Sequence, residues 1–150
     1  KNVARLALVG LADEPGIAFK IFSLLAKNRI NVDIILQSIG RDSSKDISFT
    51  VARGDTERAK ALLEEHREAI GFREIEVNEQ VAKVSIVGAG MVNNSGVACK
   101  MFEALSSAGI NINMISTSEI KVSVLVNERD ADRAVQAIHD RFFNEFGGNA

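Results

Sequence analysis

Near its start the chain alternates apolar and polar residues: Leu6 and Leu8 with Arg5 and Ala7. That is the period-two signature of a half-buried strand. The period then changes. Ala18, Ile21, Phe22 and Leu25 recur at i, i+3, i+4 and i+7, which predicts a helix with one apolar stripe. "INVDIILQSI" is rich in β-branched residues and reads as a second strand. Ile47, Phe49 and Val51 alternate with Ser48 and Thr50 and give a third. Asp55 then opens a second helical pattern, where its side chain is expected to accept from the free N–H groups of the first turn. In "FREIEVNEQ", Ile75 and Val77 alternate with Glu74 and Glu76, a fourth strand.

The same order then recurs. "VARLALVG" at Val3–Gly10 matches "VAKVSIVG" at Val81–Gly88. Gly16–Ser38 matches Gly96–Ser118, and Asp46–Ala59 matches Lys121–Ala134. Val84 and Ile86 repeat the first strand, Ala98, Met101, Phe102 and Leu105 the helical stripe, and Val122, Val124 and Val126 the third strand. Asp130 stands where Asp55 stood. The spacing between copies changes only in loops, where insertions are tolerated. The pattern predicts a tandem duplication with its boundary near Asn78–Val81, giving units at 1–79 and 80–150. Each unit reads βαββαβ, an α+β ferredoxin-like fold in which an antiparallel sheet carries two helices on one face. After Phe143 and Phe146 the second copy ends in "GGNA", without a fourth strand of its own. An unpaired sheet edge is normally covered, so residues outside this stretch or another chain are expected to supply that strand.

Composition narrows the function. At 46% apolar and 25% charged the chain is of the globular class. A net charge of −2 with both signs interspersed gives no electrostatic footprint for nucleic acid or an anionic membrane. No apolar run reaches the roughly 18 residues of a membrane span. Lys1-Asn2 leads straight into strand pattern, so no signal peptide is expected, and the missing Met suggests part of a longer chain. One Cys forms no internal disulfide and fits a reducing cytoplasm. With no Trp or Tyr, broad stacking platforms for bases or sugars are not expected.

The one proline falls at the first strand-to-helix joint, in "GLADEPGIAF". Pro15 suits the first position of a helix, where its missing N–H costs nothing, and Gly16 permits close approach of another backbone or a ligand. One reading is a plain strand-to-helix turn. The other is a ligand site: free N–H groups at the positive helix end suit a carboxylate, and Asp13 suits an ammonium. Together they fit an α-amino acid. The second copy has Ser95-Gly96 there and Met91 in place of Asp13, so two such sites would not bind one ligand equally.

"GLADEPGIAFKIFSLLAKNRINVDIILQS", "VSIVGAGM" and "NINMISTSEIKVSVLV" resemble the paired ACT domains of aspartate kinase over essentially the whole chain. The resemblance implies the regulatory half, or the separate small subunit, of an enzyme that phosphorylates aspartate with ATP at the head of lysine, threonine and methionine synthesis. It implies threonine, lysine or both as feedback effectors, a homodimer through the ACT domains, and a kinase catalytic domain or alpha subunit as partner. It also implies that a strand upstream of the first unit completes the second. By the same resemblance Asp13, Gly16, Ile17 and Ala18 form an effector loop of threonine type, with Gln37 on the second strand. Asn111 and Ile112 would face that loop from a partner copy, with Ser118 and Glu119 nearby. On the pseudo-equivalent, lysine-type side, Met91, Asn94, Ser95, Gly96 and Val97 would face Asn31, Val32 and Asp33. The family often has His at the position of Asn94 and Pro at that of Ser95, and this sequence departs there. Asn31 and Asn111 also read as turn residues, and Asp13 as an exposed loop acid.

Nothing resembles a Walker loop, so no kinase chemistry, catalytic residue, cofactor or metal is expected in this stretch. Gly88-x-Gly90 after a strand is a partial dinucleotide fingerprint without its third glycine. His66 and His139 lack the spacing of metal ligands and read as surface or rim residues. Cys99, at the place of Phe19, reads as a buried thiol beside the apolar stripe, and "LLEEHRE" as a solvated helix face. A regulatory ACT subunit of another biosynthetic enzyme, and a ferredoxin-like enzyme domain with its own chemistry, are the alternatives. The tandem copies and "STSEIKVSVL" weigh against the first, the lack of convergent acid, base or nucleophile against the second.

Overall fold

A computed structural model describes residues 2–39, 43–87, 94–118 and 121–146, with the side chains of 94–95 and 143–146 left aside. The chain divides into two compact units, 2–79 and 80–150.

In the first unit the alternating segment forms β1 (Val3–Leu11) and the apolar stripe forms α1 (Ile17–Lys27). β2 (Val32–Ile39), β3 (Lys45–Ala52), α2 (Thr56–Glu65), a single turn α3 (Arg67–Ile70) and the start of β4 (Glu74–Val87) follow. The strands lie in the order β2-β3-β1-β4, with β3 antiparallel to both β1 and β2. Leu6 and Leu8 of β1 and Ile47, Phe49 and Val51 of β3 pack against Ile17, Ile21 and Leu25 of α1 and Ala59 and Leu63 of α2. Phe22 of α1 meets the Phe49 ring edge-on at 5.5 Å, a preferred aromatic geometry.

The second unit takes the rest of β4, then α4 (Asn94–Ser107), β5 (Met114–Thr117), β6 (Lys121–Asn127) and α5 (Ala131–Phe146). Its strands are ordered β4-β6-β5 and pair antiparallel. Among the described residues no strand follows α5. Val84, Val122, Val124 and Val126 face Met101 and Leu105 of α4 and Ala134 and Ile138 of α5. β6 is buried on both faces, Ser123 and Leu125 included. The Ser123 hydroxyl is satisfied by that of Ser85 directly opposite, 2.7 Å away, as a buried hydroxyl requires.

Four sequence expectations are corrected here. The strands expected on either side of 78–81 are one uninterrupted β4, with no glycine or proline between Glu74 and Val87 to break it. α1 starts at Ile17, so Pro15 lies in the turn before it and Gly16 is the N-cap. Asp55 is the N-cap residue of α2, but its side chain makes no cap bond to the first turn. Asp55 and its counterpart Asp130 each end a 3-10 turn and pair with an arginine one turn on, Arg58 at 3.0 Å and Arg133 at 2.9 Å. Cys99 is exposed, because α4 buries Met101 and Leu105 and a residue two before Met101 points away from that stripe. Phe19 is exposed for the same reason beside Ile17 and Ile21.

The two arginines repeat a second contact. Arg58 also donates to the Asn28 carbonyl at 2.7 Å, and Arg133 to that of Ala108 at 2.7 Å. Each planar fork thus ties the start of its second helix to the residue that follows the first helix.

Candidate functional site

The threonine-type residues of the first unit gather at one end of its sheet. β1 ends at Leu11, which opposes Lys45 at the start of β3, and Lys45 also opposes Ile39 at the end of β2. Asp13 lies two residues beyond Leu11, in the link that leads to α1. Gln37 opposes Ile47, so it shares the helix-side face and is a diagonal neighbour of Lys45, about 7–8 Å between backbones. Gln37 is exposed on β2.

Gly16 holds φ at 90°, a left-handed conformation that favours glycine. No atom lies within 4 Å of where a Cβ would stand, so the dihedral, not crowding, demands this glycine. Its carbonyl accepts the first helical bond, from the Lys20 amide at 3.0 Å, while no side chain caps the helix. Ile17 is buried in the core and offers the site only its backbone. Ala18 is half-buried against that core.

Asp13 is the half-exposed acid of this end. Its Oδ1 lies 3.4 Å from Lys45 Nζ, with relative side-chain exposures of 51% and 14% for the two residues. Lys45 escaped the sequence reading, yet a signal was present: it is in phase with Ile47, Phe49 and Val51, a charge on the inward set of a strand. Next to it, Asp46 Oδ1 accepts from the Gly10 amide at 3.1 Å. That contact holds the irregularity of β1 between Leu8 and Leu11.

The remaining predicted residues lie elsewhere. Asn31, Val32 and Asp33 stand at the opposite end of β2, where Val32 opposes Val51. Val32 packs on the core, and Asn31 and Asp33 are exposed. In the second unit Asn111 and Ile112 precede β5 and Ser118 follows it, so they flank the strand without meeting. Asn111 is exposed and Ile112 packs on the second core. The Ser118 amide donates to the Lys121 carbonyl at 2.7 Å, tying the residue after β5 to the start of β6. Gly96 and Val97 lie inside α4, which begins at Asn94, and so a turn earlier than the equivalent helix α1. The arrangement around Gly16 is therefore not repeated at Gly96. Met91, Glu119 and Gly88-x-Gly90 fall outside the described residues, as do the side chains of Asn94 and Ser95.

His66 Nδ1 sits 3.0 Å from the Leu62 carbonyl one turn back, and His139 is exposed beside Asp140.

Both units match models of the ACT domain, at residues 5–71 and 84–142. An aspartate kinase of Pseudomonas putida is 46% identical over 142 residues, covering 95% of this chain and 34% of that protein. The chain thus spans about a third of the length of the curated relatives it matches. A crystal structure of aspartokinase alpha and beta subunits superposes with a TM-score of 0.87 at 44% identity, over 94% of this chain and 93% of the matched one. Aspartokinase III of E. coli, crystallised in complex with lysine and aspartate in a T-state, gives 0.72 at 28% identity, over 95% of this chain and 31% of that one. Two ACT units, a shared fold and identity along nearly the whole chain leave one assignment: the chain belongs to the regulatory, beta-subunit-like regions of aspartate kinase.

Proposed function

We propose that this chain is the amino-acid sensor of an aspartate kinase. In this reading it binds threonine, lysine or both as feedback effectors and controls phosphorylation of aspartate by a catalytic domain or alpha subunit, in the cytoplasm. What supports the reading is the end of the first unit, where Asp13 lies beside Lys45, Gln37 is diagonal to Lys45 on the same face, and α1 starts after Gly16 without a side-chain cap. An α-amino acid needs an acceptor for its ammonium and donors for its carboxylate, and this end holds both. The lysine-bearing aspartokinase III lends the ligand class.

The chain is expected to act as a homodimer. β2 exposes Ile35, Leu36 and Ile39, and an apolar strand at a sheet edge calls for cover. In the proposed assembly Asn111, Ile112 and Ser118 of a partner copy face the Asp13 loop, with the effector held between. A ligand gripped by two chains stabilises one arrangement of them, and the catalytic part responds to that shift of population.

Calorimetric titration of the intact protein with threonine and lysine, separately and together, tests the reading. Binding that is lost in Asp13→Ala and in Asn111→Ala supports it, and in wild-type protein whichever amino acid binds should inhibit aspartate phosphorylation. Binding of neither amino acid refutes it.

A further inference from the structure

We propose that Lys45 is a further recognition residue of this effector site, its ammonium taking the α-carboxylate of the amino acid whose ammonium Asp13 takes. The inference rests on the effector reading above and specifies how that site selects a zwitterion.

Three observations carry it. First, Lys45 breaks the logic of its strand. Ile47, Phe49 and Val51 point into the core from the same face of β3, and the residue in phase with them at the strand's start is a lysine. A lysine on such a face buries its stem and keeps its charged head at the rim. Its low exposure and its 3.4 Å approach to Asp13 Oδ1 show that disposition.

Second, the pair has the polarity of the ligand's complement. An α-amino acid carries an ammonium and a carboxylate on one carbon. Asp13 and Lys45 present a carboxylate and an ammonium side by side, so a zwitterion set against them in the reverse sense meets an opposite charge at each pole. Asp13 is half-exposed, which leaves its second oxygen room for the ligand. Gln37, diagonal to Lys45 on the same face, is then placed to meet the effector's side chain. Charge-assisted bonds of this kind are the strong ones in recognition.

Third, the duplication supplies an internal control. The position of Lys45 in the second copy is Ile120, and that of Asp13 is Met91. Both charges are absent together, as expected of two residues serving one ligand. The bonds that serve the fold are kept in both copies, as the Asp55–Arg58 and Asp130–Arg133 pairs show.

The test is calorimetric titration of the intact protein, as wild type and as Lys45→Met, with L-threonine, L-lysine and their carboxamides. The carboxamides keep the ammonium and side chain but lack the carboxylate charge. Lys45→Met should weaken binding of the amino acid at least about tenfold and leave binding of its carboxamide unchanged. Amino-acid binding that is unchanged or tighter in Lys45→Met overturns the proposal, since Lys45 would then only hold or compete for Asp13. Equal weakening of acid and amide also overturns it, because that marks a structural role. Lys45→Gln replaces the methionine variant if thermal melting shows Lys45→Met unfolded. Wild-type protein that binds neither amino acid overturns the effector reading and this inference with it. Wild-type binding with an unaffected Lys45 variant overturns this inference alone.

Discussion

Gly10→Ala separates two ways in which a glycine can be required. Gly10 sits at the irregularity near the end of β1 with φ at 78°. A Cβ added there would stand 2.7 Å from Arg73 Cβ, closer than packed carbons tolerate. The chain cannot easily yield, because the Gly10 amide is held by Asp46 at 3.1 Å and the neighbouring Val9 carbonyl by the Arg73 amide at 2.7 Å. The left-handed backbone costs an alanine about 1–2 kcal/mol, and forced overpacking adds about 1–3 kcal/mol. Gly71 is the control: its φ is 86°, but nothing lies within 4 Å of a Cβ, so only the first cost applies. Gly10→Ala should therefore lose about 2–5 kcal/mol and Gly71→Ala about 1–2 kcal/mol. Urea unfolding followed by far-ultraviolet circular dichroism measures both, read as a midpoint shift at constant slope. Hydrogen exchange of β1 and β3 assigns the loss to the first unit. Arg73→Ala should not rescue Gly10→Ala, since alanine keeps the offending Cβ, whereas Arg73→Gly should recover the contact cost. Equal losses at Gly10 and Gly71 would refute the reasoning.

Two further outcomes follow from the structure. Arg58→Met and Arg133→Met should each destabilise their own unit by about 0.5–1.5 kcal/mol, because each leaves a carbonyl after the first helix without its donor and the residues are half-exposed; differential scanning calorimetry of the single and double variants should give additive losses, and no loss from either would show the ties to be idle. Ile35→Asp with Ile39→Asp, at positions 50% and 61% exposed, should lower the mass seen by sedimentation velocity without lowering the melting temperature, and an unchanged mass would mean that β2 is not the covered edge.

The fold was legible because two independent periodicities, strand and helix, recur in the same order in both halves. A pattern seen twice removes the ambiguity that a short apolar run carries alone. What the pattern could not give was the direction of single side chains. Cys99 and Phe19 border the apolar stripe in sequence, but only the helix phase fixed by Ile17, Ile21 and Leu25 in one copy, and by Met101 and Leu105 in the other, decides that both face outward. The same limit hid Lys45, whose significance lies in its register against Leu11 and Ile39. Asp55 and Asp130 mark the right places for helix starts, yet the chemistry differs: an arginine three residues later takes their charge.

The pattern of what the two units share separates stability from recognition. The arginine ties and the helix-facing valines and leucines occur in both. They belong to the frame, and a change in either copy would cost folding energy. Asp13, Lys45 and the Pro15-Gly16 turn occur only in the first, and their counterparts Met91, Ile120 and Ser95-Gly96 carry no charge at all. Among the described residues the same βαββ order forms in both units, with either set. A charged pair found in one copy only fits the proposed ligand role of that end. Because the second unit lacks the pair, threonine or lysine should engage the Asp13 end of the first unit through both charges, and any site built on Gly96 must recognise its ligand by other means.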